Sequence, residues 1–394
     1  MKYLKIIILL ITISLSSGCI FEPKVTTEIK LANNLTYNYG DKVYLYDLVQ
    51  ITDGTIIDQN YLVDTTNIGD NKIKISYKDS NKHKKSYEFN INIIDNEKPL
   101  LNVPKNQYVV QNNEINLFSK VFYGDNATRQ VQCEITGDYD LTTVGDYDLT
   151  YTATDESNNT TIKNSTLHVI EKPIDTTTKE DEGTPINYYI KNYKDSTNQI
   201  GIDISSYQKD IDFNKVKDAG VDFVILRIGY GPDSDGNMTI DNNFEIYYNA
   251  AKEAGLKIGI YLFSYATTIE EANIQSDWIL DELKDKDIDL PIAYDWESWY
   301  TFSSCNLNFY DLNDIAKTFL DNIKNNNYQV MLYGSKYYLD SIWNLPEYNT
   351  WLAQYYSEAT YNKAFNMWQL TDEGTVDGID TKVDIDILKA VNSN

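Results

Sequence analysis

Histidine is nearly missing from this sequence: there are two in 394 residues, His83 and His168, and both precede Gln199. The C-terminal half therefore has no imidazole for a Ser-His-Asp or Cys-His hydrolase, nor for a His-ligated zinc amidase. Cysteine is scarce as well. Cys19, Cys133 and Cys305 stand far apart and are odd in number, so no disulfide framework is implied. Positive charge is in short supply, with 34 Lys and Arg against 59 Asp and Glu and a formal net charge of −25. That balance excludes nucleic acid as a partner, because phosphate binding needs basic patches. It reads more simply as solubility at a crowded surface. What is present is globular: 42% hydrophobic and 13% aromatic residues, in a chain long enough for two or three cores. Chemistry in the C-terminal half has to run on carboxylates.

The first residues carry an address. Met1 to Lys5 form a short basic stretch, and Ile6 to Ile13 an apolar run of signal-peptide length, well below the ~20 residues of a spanning helix. Leu15-Ser16-Ser17-Gly18-Cys19 follows and resembles the lipobox of bacterial lipoproteins, with Ser16 where a Leu is usual. The resemblance implies a signal peptide over 1–18, a lipidated Cys19, and a tether over 19–24 at the outer face of the cell membrane. The other reading is ordinary secretion with Cys19 incidental.

Two stretches, 25–97 and 98–170, alternate polar and apolar residues, as in Lys72-Ile73-Lys74-Ile75-Ser76-Tyr77 and Glu88-Phe89-Asn90-Ile91-Asn92-Ile93. This period of two marks half-buried strands. The stretches also resemble each other. Thr65-Thr66-Asn67-Ile68-Gly69-Asp70 is answered by Thr142-Thr143-Val144-Gly145-Asp146, and Asp79-Ser80-Asn81 by Asp155-Glu156-Ser157-Asn158. A repeat of this length with short strands is expected to form two small immunoglobulin-like sandwiches, similar to bacterial surface modules that act as spacers. Residues 171–198 read as a linker, and its first part, Glu171 to Pro185, would add roughly 50 Å of reach at ~3.5 Å per residue.

From Gln199 strands and helices alternate over residues 199–394. Ile200–Ile204, Val221–Ile228, Leu256–Phe263, Leu290–Trp296 and Gln329–Tyr333 read as strands. Helices are expected over Asp241–Ala254, after a capping box at Thr268–Glu271 with Ile269, Ala272, Ile279 and Leu283 inward, and over Leu312–Ile323. Such alternation predicts an α/β barrel or a doubly wound sheet. In a barrel, chemistry sits at the C-terminal ends of the strands. That rule selects Asp203 after the first strand and Asp295 with Glu297 after Pro291-Ile292-Ala293-Tyr294; Asp384 lies in the last strand. Asp295 and Glu297 are two residues apart, so they share a face, with Cα atoms roughly 6.5 Å apart. Clustered carboxylates repel, which makes one of them keep its proton near neutral pH. A carboxylic acid beside a carboxylate is what glycosidic bond cleavage requires.

Several motifs in order resemble glycoside hydrolase family 25 over about half the chain. They include Gly201-Ile202-Asp203-Ile204-Ser205, Arg227 with Gly229-Tyr230-Gly231, Asp295-Trp296-Glu297, Tyr333, Trp351 with Ala353-Gln354-Tyr355, Trp368-Gln369, and Val383-Asp384. The resemblance implies a fold of two all-β modules followed by an irregular, TIM-like α/β barrel with fewer helices than strands. It implies a lysozyme cleaving the β-1,4 bond between N-acetylmuramic acid and N-acetylglucosamine in peptidoglycan strands, without metal or organic cofactor, as a monomer. Carried over, Glu297 is the general acid and Asp295 the second catalytic carboxylate, with Asp203 and Asp384 shaping the field. Tyr261, Tyr333, Trp351 and Trp368 become sugar platforms and Arg227 a substrate contact. The rival is a wall-binding or adhesive lipoprotein whose barrel lacks turnover.

Overall fold

The structure, a computed structural model, describes residues 26–57, 60–174 and 182–389. Cys19 and the segment before it lie outside the described residues. Among those described, no helix is long and apolar enough to cross a membrane. The chain divides into two compact units at Ile94/Asp95.

The two β regions follow one plan. Each centres on a hairpin of a ten-residue and an eleven-residue strand, Gly69–Lys78 with Lys84–Ile94 in the first and Gly145–Thr154 with Thr160–Ile170 in the second. Each hairpin gains a short parallel strand on one side, Thr36–Asn38 or Asn106–Val110, and an antiparallel one on the other, Thr55–Ile56 or Gln132–Thr136. Alternation buries Ile75, Phe89, Ile91 and Ile93 in the first hairpin, and Leu149, Tyr151, Ala153, Leu167 and Val169 in the second. The sequence repeat is thus a repeat of strand topology.

The C-terminal part closes into a barrel of eight strands: β1 Asn198–Ile204, β2 Phe223–Gly231, β3 Lys257–Ser264, β4 Ile292–Trp296, β5 Val330–Ser335, β6 Asn349–Ala353, β7 Met367–Thr375 and β8 Val383–Lys389. The first seven run parallel, each to the next, and β8 pairs antiparallel with both β7 and β1. Helices α1 Phe213–Asp218, α2 Phe244–Glu253, α3 Ile269–Glu282, α4 Phe309–Asn325 and α5 Lys336–Ser341 follow the first five strands. Loops take their place between β6, β7 and β8. The capping box at Thr268 and Glu271 forms as expected, but Ile269 points outward, 45% exposed. Gln275 and Ser276 are buried on the inner side of α3, where the Gln275 amide donates to Gly231 O at 2.6 Å.

Two expectations need correcting. Residues 184–193, assigned to the linker, are folded: Thr184–Pro185 pairs with β7, and a helix over Ile186–Tyr193 buries Ile186 and Tyr189 in the barrel core. The second β region is also no separate body on a long leash. Its Phe122 inserts into the barrel core among Trp299, Phe302, Phe309 and Tyr338, at ring-centroid distances of 5.6–6.3 Å. Gly124 permits that approach, because a Cβ there would lie 2.7 Å from the Phe302 and Phe309 rings. Arg129 closes the seam with two N–H bonds to Asp311, at 2.6 and 2.9 Å. Ile186, Tyr189, Ile190 and Tyr193 do carry a helical period that the linker reading passed over; the aromatic partners of Phe122 come from distant parts of the chain.

Candidate functional site

The inside of the barrel changes character along its strands. Alternation sends Ile200, Ile202 and Ile204 of β1, and Val383, Ile385 and Ile387 of β8, outward under the helices. It sends Asp203, Asp384 and Asp386 inward. The interior floor is apolar, built from Phe223, Ile225, Ala293, Met331, Trp351 and Met367. Gly201 leaves room for Phe223, whose ring a Cβ would meet at 2.2 Å. Above that floor the inward positions are polar: Asp203, Arg227, Tyr261, Asp295, Tyr333, Gln369, Asp384 and Asp386. Asp384 belongs to this set because β8 is antiparallel, with Asp384 the register partner of Asp203. A strand running the other way presents its N-terminal end where its neighbours present their C-terminal ends.

A chain of hydrogen bonds fixes the base of the site. The Tyr333 and Tyr355 hydroxyls donate to Gln369 Oε1 at 2.9 and 3.0 Å, and Gln369 Nε2 donates to Asp203 Oδ2 at 2.9 Å. The Trp351 indole N–H donates to Asp386 Oδ1 at 2.8 Å. With both carboxylates ionised, Asp386 Oδ2 would be sealed without a donor. The two carboxyls crowd each other, which favours a proton on the pair. Burial, then the neighbouring Asp386, raises the Asp203 carboxyl well above its ordinary value. Burial pushes Asp386 up to about 8, and burial followed by the charge of Asp203 pushes Asp384 up to about 9.

Asp295 and Glu297 stand at the end of β4, while Trp296 turns outward and donates its N–H to Ala266 O at 3.1 Å. Asp295 is 5% exposed, and its Oδ1 is sealed without a donor. Burial, then Glu297 and Asp203, raises its pKa well above the carboxylate range, against the opposing pull of Arg227. Glu297 follows the strand at the open mouth, with much of its surface in solvent. The protein atoms around its carboxyl still displace enough water to raise its pKa. The site thus joins a solvent-reachable carboxylic acid to a buried partner, which is an arrangement for delivering a proton.

Arg227 is a fixed charge. Its Nε and one terminal nitrogen hold Asp241 Oδ2 at 2.9 and 2.6 Å, and the same nitrogen reaches Ser206 Oγ at 3.2 Å. A cleft of about 310 Å³ opens beside it, lined by Asp203, Tyr207, Gln208, Arg227, Tyr261 and Asp384 among others. A larger hollow of about 440 Å³ lies outside the barrel, where β6 has no helix to cover it. Glu347 is its only carboxylate, whereas the cleft is lined by Asp203 and Asp384.

The structure brings Glu297, Asp295, Asp203 and Asp384 together at one end of the barrel, with Tyr261, Tyr333 and Arg227 beside them. It does not bring Trp368, which points outward, donates to Gln354 O at 2.8 Å and meets Tyr193 edge-on. One residue of strand phase excludes it as a sugar platform. Trp351 faces inward but is 2% exposed, with the Tyr333 and Tyr261 edges against it, so no sugar can lie on its face. Asp386 and Gln369 went unselected in the sequence. Asp386 had a signal, since it lies two residues from Asp384; Gln369 had none, because the phase of β7 was not readable.

Asp384→Asn tests the like-charge crowding. A carboxyl whose folded pKa is raised binds its proton more tightly in the folded state, so its favourable contribution is present at low pH. That contribution is lost as pH rises from about 4 toward about 9. The variant is therefore expected to gain thermal stability over wild type progressively across that window. Paired melting curves at pH 5 and pH 9 that show the same gap would refute the crowding.

Residues 202–379 match the sequence model of Glycosyl hydrolases family 25. The match covers somewhat less than half of the chain. An autolytic lysozyme of Clostridium acetobutylicum is 26% identical over 189 residues, covering 47% of this chain and 54% of that protein. The chain thus spans about half the length of that relative. YegX of Escherichia coli K12, an uncharacterized protein, is 26% identical over 48% of this chain and 68% of its own. Among solved structures, the spore cortex lytic enzyme SleM of Clostridium perfringens is similar at 23% identity. There the match covers 50% of this chain and 69% of that one, with a TM-score of 0.43. The carboxylates at the end of β4 lie within the matched segment.

Proposed function

We propose that this chain is an N-acetylmuramidase that cleaves the β-1,4 bond between N-acetylmuramic acid and N-acetylglucosamine, and that Cys19 anchors it to the outer face of a bacterial membrane. The observation that carries the reading is the pair at the end of β4, an open and protonatable Glu297 beside a sealed Asp295, inside the segment that matches family 25. Glu297 gives its proton to the glycosidic oxygen as the bond from that oxygen to the anomeric carbon breaks. The reactive form carries the proton on Glu297 and the charge on Asp295, so that Asp295 meets the positive charge developing at that carbon; water then adds to the carbon and returns a proton to the pair. Burial of its carboxyl raises the Glu297 pKa and so favours the protonated acid, while Asp203 and Asp384 position the pair.

Exposed tyrosines replace the buried tryptophans as sugar platforms. Tyr207, Tyr230, Tyr265, Tyr300, Tyr337 and Tyr355 lie at or just after the ends of β1 to β6 in turn, each at least 38% exposed. Rings with an open face and a hydroxyl suit pyranose faces. The shared strand plan of the β regions supports an immunoglobulin-like nature for both, the first as a spacer and the second as a buttress for the barrel.

Incubating the chain from residue 24 onward with purified peptidoglycan, then identifying the new reducing ends, tests the activity. Muramic acid ends support it; glucosamine ends would assign a glucosaminidase, and no release a wall-binding protein. The anchor is tested separately. Two acyl chains hold a protein firmly on a membrane where one does not. Cys19→Ala is accordingly expected to appear in the medium or as an uncleaved precursor, with unchanged activity on soluble wall fragments. Fractionation of the variant with membranes in processed form refutes the lipid anchor.

A further inference from the structure

We infer that Asp95, Asp125 and Asp155 form a binding site for a hard divalent cation, calcium by preference, at the edge of the second β region where it meets the barrel. One carboxylate oxygen from each lies within 4.8 Å of the others. Ligand oxygens at 2.3–2.6 Å from one calcium ion are separated by at most about 5 Å, so the trio fits around a single ion. The three residues come from the strand ends and loops that converge there, at 9%, 1% and 5% exposure.

Three carboxylates buried together need a compensating charge. Asp155 accepts from the Asn159 backbone and side chain at 2.7 and 2.9 Å. Asp125 Oδ2 accepts from the Ala127 and Thr128 backbone N–H groups at 2.9 and 2.8 Å, whereas Oδ1 is sealed from solvent with no donor. That oxygen belongs to a residue only 1% exposed and has its lone pairs available for a ligand. The groups acting on Asp125 are its own burial, those two backbone N–H groups, and the negative charges of Asp95 and Asp155. The first β region answers the same need differently. Its Asp79, the counterpart of Asp155 in the repeat, takes the Lys85 ammonium at 3.0 Å. Thr161 occupies the place of Lys85 in the second hairpin and brings no charge. All donors are oxygens, with no thiol or imidazole among the three, which selects calcium over zinc or copper.

The site is placed to stiffen a seam. The Asp125 carbonyl accepts the Phe309 N–H at 2.7 Å, and the Ala127 carbonyl accepts from the Asn308 side chain at 2.8 Å, both at the start of α4. A cation on the Asp125 side chain fixes the loop whose backbone grips the barrel.

The test uses the purified chain from residue 24 onward, stripped with a chelator and titrated with calcium chloride alone at constant ionic strength. Wild type is expected to gain about 5 °C in melting temperature at a hundredfold excess over its dissociation constant. Asp125→Asn should lose that gain. In the absence of calcium it should melt at or above wild type, because it keeps an oxygen for the two N–H groups while removing one like charge. Asp155→Asn, read in the same way, serves if the first variant does not fold. A wild type whose melting temperature calcium leaves unchanged would overturn the site. So would variants that keep the full gain, since that outcome means diffuse screening of an acidic chain. The readout is melting temperature, so it stands or falls independently of wall cleavage.

Discussion

Glu297→Gln is expected to lower turnover on purified peptidoglycan by about 10²–10⁴-fold, the range a positioned general acid contributes, while the protein stays folded. The amide matches the carboxyl in shape but has no acidic proton to give to the departing oxygen. Folding should be nearly untouched because Glu297 lies beyond β4 at an open mouth, and the hydrogen bonds of the site base run through Asp203, Gln369 and Asp386. The raised pKa of Glu297 also sets the pH dependence. The acid works only while protonated, so wild-type activity should fall as pH rises through that raised value. Initial rates of reducing-end release against pH, for wild type and variant, check both statements. A variant within a few-fold of wild type removes Glu297 from the chemistry, and with it the mechanism proposed above.

Phe122→Ala should produce the largest loss of stability, about 3–5 kcal/mol by comparison with other buried phenylalanines. Phe122 is 1% exposed and touches four aromatic rings of the barrel, so alanine leaves a cavity that those rings cannot readily refill. The consequence reaches the active site by a short path. Trp299 packs edge-on against Trp296 at 4.8 Å, and these two residues bracket Glu297 in the chain. Loosening the wedge therefore loosens the segment that holds the acid. Urea unfolding followed by tryptophan fluorescence measures the effect, and Phe122→Leu should be milder because it refills part of the cavity. A midpoint for Phe122→Ala equal to wild type would show that the second β region does not rest on this contact.

The order of elements and the carboxylates gathered at one end of the barrel were legible because they depend on local rules. Period-two alternation and apolar runs mark strands within a few residues, and a D-x-E triplet at the end of a buried strand puts two carboxylates on one face whatever the rest of the chain does. The same alternation already carried Asp386, two residues from Asp384. It failed for Trp368, where the strand was readable but its phase about the barrel was not, because that phase is set by pairing with β6 and β8.

The sequence by itself determined the chemistry available to this protein: no imidazole after Gln199, carboxylates at strand ends, and a β-rich first half built as a repeat. Only the tertiary structure decided which aromatics face the site, that the second β region is part of the barrel's own compact unit, and that Asp95, Asp125 and Asp155 meet. The physical reason is common to all three. Each depends on contacts between residues tens to hundreds of positions apart, such as Phe122 with Trp299 or Asp95 with Asp155. A local period reports what a segment can become, while its partners emerge only when the whole chain has closed.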